Sequence, residues 1–234
     1  MMQFSRTELL IGSENLKKLF NAKVIVFGLG GVGGIVAESL VRTGVGTIGI
    51  VDNDTVSESN INRQIIAKTS TVGKPKTELF KKRLESINPK VKVEVYNLFY
   101  SKENEIDLSK YDYIVDAIDT VSSKILLIKR AKELGVKIIS SMGTAGKLDP
   151  TRLEITDIKK TSVCPLARVM RRELKKEGIE DLKVVYSKEE RVEIELKEDL
   201  LEKKGKAVAP PSMMFVPSTA GLLIASEVVK DLTR

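Results

Sequence analysis

Three short stretches of this 234-residue chain hold residue types whose spacing could handle a phosphorylated ligand. Gly28, Gly30 and Gly33 follow the apolar run KVIVFG and fit the GxGxxG pattern, in which a strand passes through a tight turn into a helix. The first glycine permits the turn, the second lets backbone N–H groups approach a phosphate, and the third lets the helix pack on the strand. The anion then rests at the positive end of the helix. Asp52 closes the next apolar run, TIGIVD, where a carboxylate accepts hydrogen bonds from a ribose. Glycines that merely shape a turn would not need that acid. Taken alone, the pattern points first to a dinucleotide cofactor such as NAD or FAD.

The residues that follow argue for a triphosphate instead. Asn60, Asn62, Arg63 and Gln64 (SNINRQ) come directly after the acidic stretch DNDTVSES, which contains Asp54, and Lys74 and Lys76 (GKPKTE) lie at the start of the next helix. A nicotinamide site has no need of an arginine and a lysine beside the glycine turn, whereas a triphosphate carries the extra negative charge that they would offset. Asp116 and Asp119 (VDAIDT) fall at the end of a further apolar run, the place where open α/β sheets hold ligands. Asp119 could hold Mg²⁺ against phosphate oxygens, or it could simply cap the helix that begins near Val121. The chain has no histidine. That excludes Ser/His/Asp and Cys/His nucleophile machinery and favours a reaction whose nucleophile is already ionised at pH 7.

These residues need a scaffold that brings strand ends together, and the hydrophobic pattern supplies one. Apolar runs at 23–28, 47–52, 91–96, 111–116 and 136–140 read as strands, with helices from the glycine turn through Arg42, over 74–86 and over 121–134, the last ended by Gly135. Alternating strand and helix predicts a Rossmann-like, doubly wound, largely parallel α/β sheet. Residues 1–150 form the nucleotide-binding part of this expected single domain. Residues 151–234 extend the same sheet, with strands at 152–156 and 182–186, a basic helix over 165–176, and a final helix for which Ser218 is the expected N-cap.

A single cysteine, Cys164, rules out an internal disulfide or a CxxC zinc knuckle and suits a reducing cytosol. It reads as a small, partly buried side chain rather than a covalent carrier. Residues 1–12 lack an apolar signal core, and the greasy stretch 215–229 is interrupted by Ser218, Thr219, Ser226 and Glu227, so a soluble protein without a membrane span is expected. The net charge is +7. Much of the excess sits where Lys159, Lys160, Arg168, Arg171, Arg172, Lys175 and Lys176 face only Glu173, and helical spacing puts several of them on one face. Such a stripe fits a polyanion, and an ordinary solvated face would look the same.

The stretches GLGGVG (28–33), DNDTVSESNINRQ (52–64), VGKPK (72–76) and DAID (116–119) together resemble the ATP-binding motifs of the superfamily of ThiF, MoeB and the ubiquitin-activating enzymes. That resemblance implies Gly28, Gly30, Gly31 and Gly33 around the phosphates, Asp52 and Asp54 toward the ribose side, Asn60, Arg63, Gln64 and Lys76 on the triphosphate, and Asp119 on Mg²⁺. It implies ATP as the nucleotide and a cytoplasmic homodimer in which Arg6 (FSRTELLIG) enters the partner's site. LDPTRLEITDIKKT, the Pro165–Leu166–Ala167 run before the basic helix and PPSMMFVPSTAGLLIASEVV resemble the branch that dehydrates threonylcarbamoyladenosine in transfer RNA. In that branch Arg63, Lys76, Asp119 and Arg6 would carry catalysis, and Lys160, Arg168, Arg171, Arg172 and Lys175 would meet the transfer RNA. The alternative within the superfamily activates the C-terminus of a ubiquitin-like sulfur carrier. Many members of that class carry two CxxC pairs, which this chain lacks.

Overall fold

The computed structural model describes residues 2–192 and 210–234. Two short helices open it, α1 (Ser5–Ile11) and α2 (Ser13–Asn21). The units that follow are β1 (Lys23–Phe27), α3 (Gly33–Thr43), β2 (Thr47–Val51), α4 (Lys76–Ile87), β3 (Lys92–Tyr96), β4 (Tyr113–Asp116), α5 (Val121–Glu133) and β5 (Lys137–Ser141). The later part contributes β6 (Leu153–Asp157), α6 (Pro165–Lys176), β7 (Lys183–Ser187) and α7 (Phe215–Thr233).

The seven strands among the described residues join one sheet in the order β3-β2-β1-β4-β5-β7-β6, so the late strands lengthen the sheet begun by the early ones. Of the described strand pairs, only the edge pair β6/β7 is antiparallel. Because side chains alternate along a strand, β1 serves two cores: Val24 and Val26 pack on one face with Leu40 of α3 and Ile224 of α7. Ile25 and Phe27 pack on the other with Leu127 of α5 and Met170 of α6. Helices thus cover both faces, and the strand order turns around between β1 and β4, where a crevice opens beyond their carboxyl ends.

Most element boundaries fall within two residues of the sequence expectation. The start of α7 does not. Its N-cap is Met214 rather than Ser218, and the Ser218 hydroxyl lies buried inside the helix without a hydrogen-bond partner among the described residues. The misleading signal was Pro217, which here occupies the first turn, where a missing N–H costs nothing because those groups have no helical acceptor. Lys74 likewise precedes α4 instead of opening it. Among the described residues no helix is long and apolar enough to cross a membrane.

Candidate active site

The crevice beyond β1 and β4 is a cleft of about 590 Å³, and its lining includes Gly28, Gly30, Gly31, Asp52, Asp54, Asn60, Arg63, Gln64, Lys76 and Asp119. The glycines fall into two kinds. Gly28 has φ +85°, and a Cβ on it would lie 2.5 Å from the Ala117 carbonyl oxygen of the β4 loop. Gly33 does not line the cleft. A Cβ there would lie 1.8 Å from the Gly28 carbonyl oxygen, so its role is to let α3 approach the strand. Gly30 is different: the nearest atom to its would-be Cβ is Gln64 Nε2 at 3.9 Å, so the backbone is open to a ligand.

Asp52 is fixed by its neighbours before any ligand arrives. Its Oδ2 accepts from the Leu29 N–H at 2.6 Å and its Oδ1 from the Asp54 N–H at 2.8 Å. Burial pushes its carboxyl above the ordinary value, opposed by the Lys76 ammonium and these two N–H groups. Lys76 reaches the same spot because residues 54–56 and 73–76 are clipped together. Val56 N–H donates to the Lys74 carbonyl at 2.9 Å, and Lys76 N–H to the Asp54 carbonyl at 3.0 Å. Lys76 is only 5% exposed, with Nζ 2.7 Å from Asp54 Oδ2 and 3.9 Å from Asp52 Oδ1.

Opposite stands the tight turn 57–64. Ser57 and Asn60 close it reciprocally, the Asn60 Oδ1 accepting from Ser57 N–H at 3.1 Å. Arg63 points one guanidinium nitrogen back at the Ser59 carbonyl, 2.7 Å away, and at Asn62 Oδ1, 2.9 Å away. Gln64 is buried, and its Oε1 has no partner among the described residues. A buried acceptor without a donor is costly. Together with the open backbone at Gly30, it fits a polar ligand that fills the cleft, and the lysine and arginine fit that ligand being an anion.

The ThiF family model matches residues 4–234. The chain is a member of the ThiF family. It is 46% identical over 243 residues to the transfer-RNA threonylcarbamoyladenosine dehydratase of Bacillus subtilis, spanning 99% of this chain and 95% of the relative. It superposes on the crystal structure of the Escherichia coli dehydratase TcdA in complex with ATP with a TM-score of 0.86 and 31% identity, covering 99% of this chain and 93% of that one. A sulfur carrier protein adenylyltransferase of Thermus thermophilus is 38% identical over 130 residues, 55% of this chain and 48% of the relative.

In this ThiF-family chain the two aspartates of VDAIDT part company. Asp119 is exposed at the cleft, one residue ahead of Thr120, the N-cap of α5, so the capping reading fails; its Oδ1 accepts from the Thr120 hydroxyl at 3.3 Å and the carboxylate otherwise faces the cleft. Asp116 is buried: Oδ2 lies 2.9 Å from Lys124 Nζ and accepts from Ser140 Oγ at 2.5 Å. Lys124 also donates to the carbonyls of Ile118, 3.1 Å, and Ser141, 2.9 Å. Sequence reasoning missed this pair, although Ser123, Lys124, Leu127, Ile128 and Ala131 share the buried face of α5 at helical spacing.

The cleft also takes residues to which the sequence reading gave no site role: Phe99 after β3, Thr144 and Ala145 after β5, and Pro210, Ser212 and Pro217 around the start of α7. Arg6 is exposed on α1 and does not line the cleft of its own chain; Leu9 and Leu10 beside it are 87% and 84% exposed. On α6, Arg168, Arg172 and Lys175 are exposed, as is Lys160 ahead of the helix, while Arg171 turns inward to the Thr161 carbonyl at 2.9 Å. Arg172 is paired with Glu173 at 2.8 Å. Cys164 is 2% exposed at the N-cap of α6, a packing residue as its size suggested.

Proposed function

We propose that this protein is an ATP-dependent dehydratase of transfer-RNA threonylcarbamoyladenosine. The observation that carries the reading is the cleft itself, in which the buried Lys76, Arg63, the open backbone of Gly30 and the unpartnered Gln64 oxygen face one space at the switch point of the sheet. Identity of 46% along nearly the whole of the Bacillus subtilis dehydratase supports the choice of substrate. The partial match to the carrier adenylyltransferase supports only the shared activation step.

The residues present suit the chemistry. A threonyl carboxylate is ionised at neutral pH and attacks the α-phosphorus of ATP without a base, which a histidine-free site requires. Pyrophosphate leaves, and Arg63 and Lys76 offset the charge that gathers on it. Asp119 would hold Mg²⁺ together with phosphate oxygens. That ion would add positive charge at the triphosphate, and a lone carboxylate is enough for it because its other ligands are phosphate and water. Among the described residues no cluster of three metal-capable side chains competes for that role. The carbamoyl group of the same nucleotide then displaces AMP from the activated carbonyl and closes a ring, so the net change is loss of one water.

The exposed stripe Arg168, Arg172, Lys175 and Lys160 is the proposed contact for the transfer-RNA backbone, and the cytosol is the proposed compartment. The exposed leucines of α1 suit burial against a second copy, which would carry Arg6 into the neighbouring cleft. The deciding experiment supplies purified protein, ATP and Mg²⁺ to transfer RNA bearing threonylcarbamoyladenosine and weighs the nucleosides. Loss of one water mass, dependent on ATP, is expected. An unchanged nucleoside, with carrier-dependent exchange of pyrophosphate into ATP, would move the assignment to the sulfur-carrier activators.

A further inference from the structure

The segment Pro210–Ser212 runs along the cleft and is held at two points. The Gly146 N–H donates to the Pro211 carbonyl at 2.7 Å, and the Asn62 side-chain Nδ2 donates to the Ser212 carbonyl, also at 2.7 Å. The first anchor is itself well fixed. Gly146 accepts from Val192 N–H at 2.9 Å, and the N–H groups of Leu148 and Asp149 donate to the Glu189 carboxylate at 2.8 and 3.0 Å. The second anchor sits on the turn that carries Arg63. Asn62 is the only residue that joins that turn to the strap by a side-chain hydrogen bond among the described residues, and its other amide atom, Oδ1, accepts from the Arg63 guanidinium at 2.9 Å. The two bonds fix the amide in one orientation, because turning it over would set its NH₂ against a cation and its oxygen against a carbonyl.

We propose that Asn62 is a positioning residue that couples the aim of Arg63 to closure of the Pro210–Ser212 strap over the cleft. This rests on the dehydratase reading for its consequence in turnover. With the strap held, water is kept from the activated carbonyl and only the carbamoyl group of the same nucleotide reaches it. With the strap released, water attacks the same carbonyl carbon, the bond to the phosphate oxygen breaks, and AMP leaves with the original carboxylic acid restored. ATP is then consumed without ring closure.

Two substitutions separate the two bonds. Asn62→Asp keeps an acceptor for Arg63 but sets a carboxylate oxygen against the Ser212 carbonyl; Asn62→Ala removes both partners. Because the side chain is exposed, neither change empties a core. Affinity for a non-hydrolysable ATP analogue, measured by calorimetry, is expected to fall about tenfold for Asn62→Ala and to stay near wild type for Asn62→Asp. Hydrogen exchange of the Gly146 amide is expected to quicken about tenfold in both, with the β1 amides unchanged. The ratio of AMP released to cyclised nucleoside is expected to rise several-fold in both. Unchanged exchange at Gly146, or an unchanged ratio in Asn62→Asp, overturns the coupling. If the wild-type protein forms no cyclised nucleoside, the dehydratase reading fails instead, and the Gly146 exchange alone decides whether Asn62 holds the strap.

Discussion

Two lysines, each beside an aspartate at the carboxyl end of the sheet, sit in opposite surroundings. Lys124, under α5, is sealed at 0% exposure with Asp116, and its ammonium finds three oxygens inside the protein. Lys76, at the start of α4, faces the cleft, and its close partner Asp54 is 61% exposed. The sealed pair is satisfied by the fold and holds the end of β4, the loop after it and the end of β5 in register. The open one keeps spare valence for something that arrives. Completeness of the hydrogen-bond shell, rather than burial or the presence of an ion pair, separates the structural cation from the one proposed to meet the ligand.

That contrast can be broken most severely at Lys124. Removing one member of a buried pair strands the other, so Lys124→Met is expected to cost about 3–5 kcal/mol and to lower the midpoint of thermal unfolding by about 10 °C, while Asp116→Leu combined with Lys124→Met recovers part of the loss. Calorimetric melting of the three proteins checks this, and equal midpoints would mean the pair is idle. Lys76→Ala is expected to do the reverse: about 10²–10³-fold lower kcat/KM, with the melting midpoint close to wild type. A variant that melts early and is inactive for that reason would erase the distinction.

Arg6 offers a third environment, exposed and outside its own cleft. Arg6→Ala is expected to lower turnover about 10²-fold, and mixing it with Lys76→Ala subunits to restore about a quarter of the wild-type rate, since in the proposed dimer each mixed pair would hold one complete site. No recovery on mixing, with exchange of subunits verified by mass, would confine Arg6 to its own chain.

The smallest effect concerns the carboxylates. Asp52 is pushed up by burial, whereas Glu94 on β3 is held down to about 2 by Lys92 at 2.6 Å and by the Tyr111 hydroxyl at 2.6 Å, with Lys110 adding at 3.2 Å. A carboxyl lowered on folding adds stability above its unfolded value near 4.5, and that stability drains away as the pH falls through about 2. Glu94→Gln is therefore expected to cost about 1 kcal/mol at neutral pH and progressively less across that acid window, as read from denaturant unfolding. A constant difference between the two proteins at all pH values would assign the effect to packing.

What could be read in advance divides along the same line. The turn 28–33, Asp52 and the 60–64 turn are legible because their chemistry is local: a glycine pattern, an acid at fixed spacing, an arginine and a lysine in short runs. Lys124 was hidden because VDAIDT offered two acids as cleft ligands, and only α5's helical spacing shows that the lysine lies on the inner face. The contributions of Phe99, Thr144, and the pair Pro210 and Ser212 come from three separate places in the chain, and their meeting depends on how β5, β7 and α7 are stacked. Ser218 misled for a local reason, since a serine next to a proline has the look of a helix start whether or not the helix has begun a turn earlier.

Gly31 gives this arrangement a further meaning. Its Cα lies where a methyl group would stand 3.1 Å from Pro217 Cβ of α7 and 3.3 Å from the Arg63 carbonyl oxygen. Three segments from distant parts of the polypeptide therefore share one crowded point, where a methyl group would oblige Pro217 or the Arg63 carbonyl to give by a few tenths of an ångström. The glycine turn is thus coupled to both neighbours: bulk added at Gly31 presses the C-terminal helix and the arginine turn apart, so a change in one of the three segments is felt by the other two.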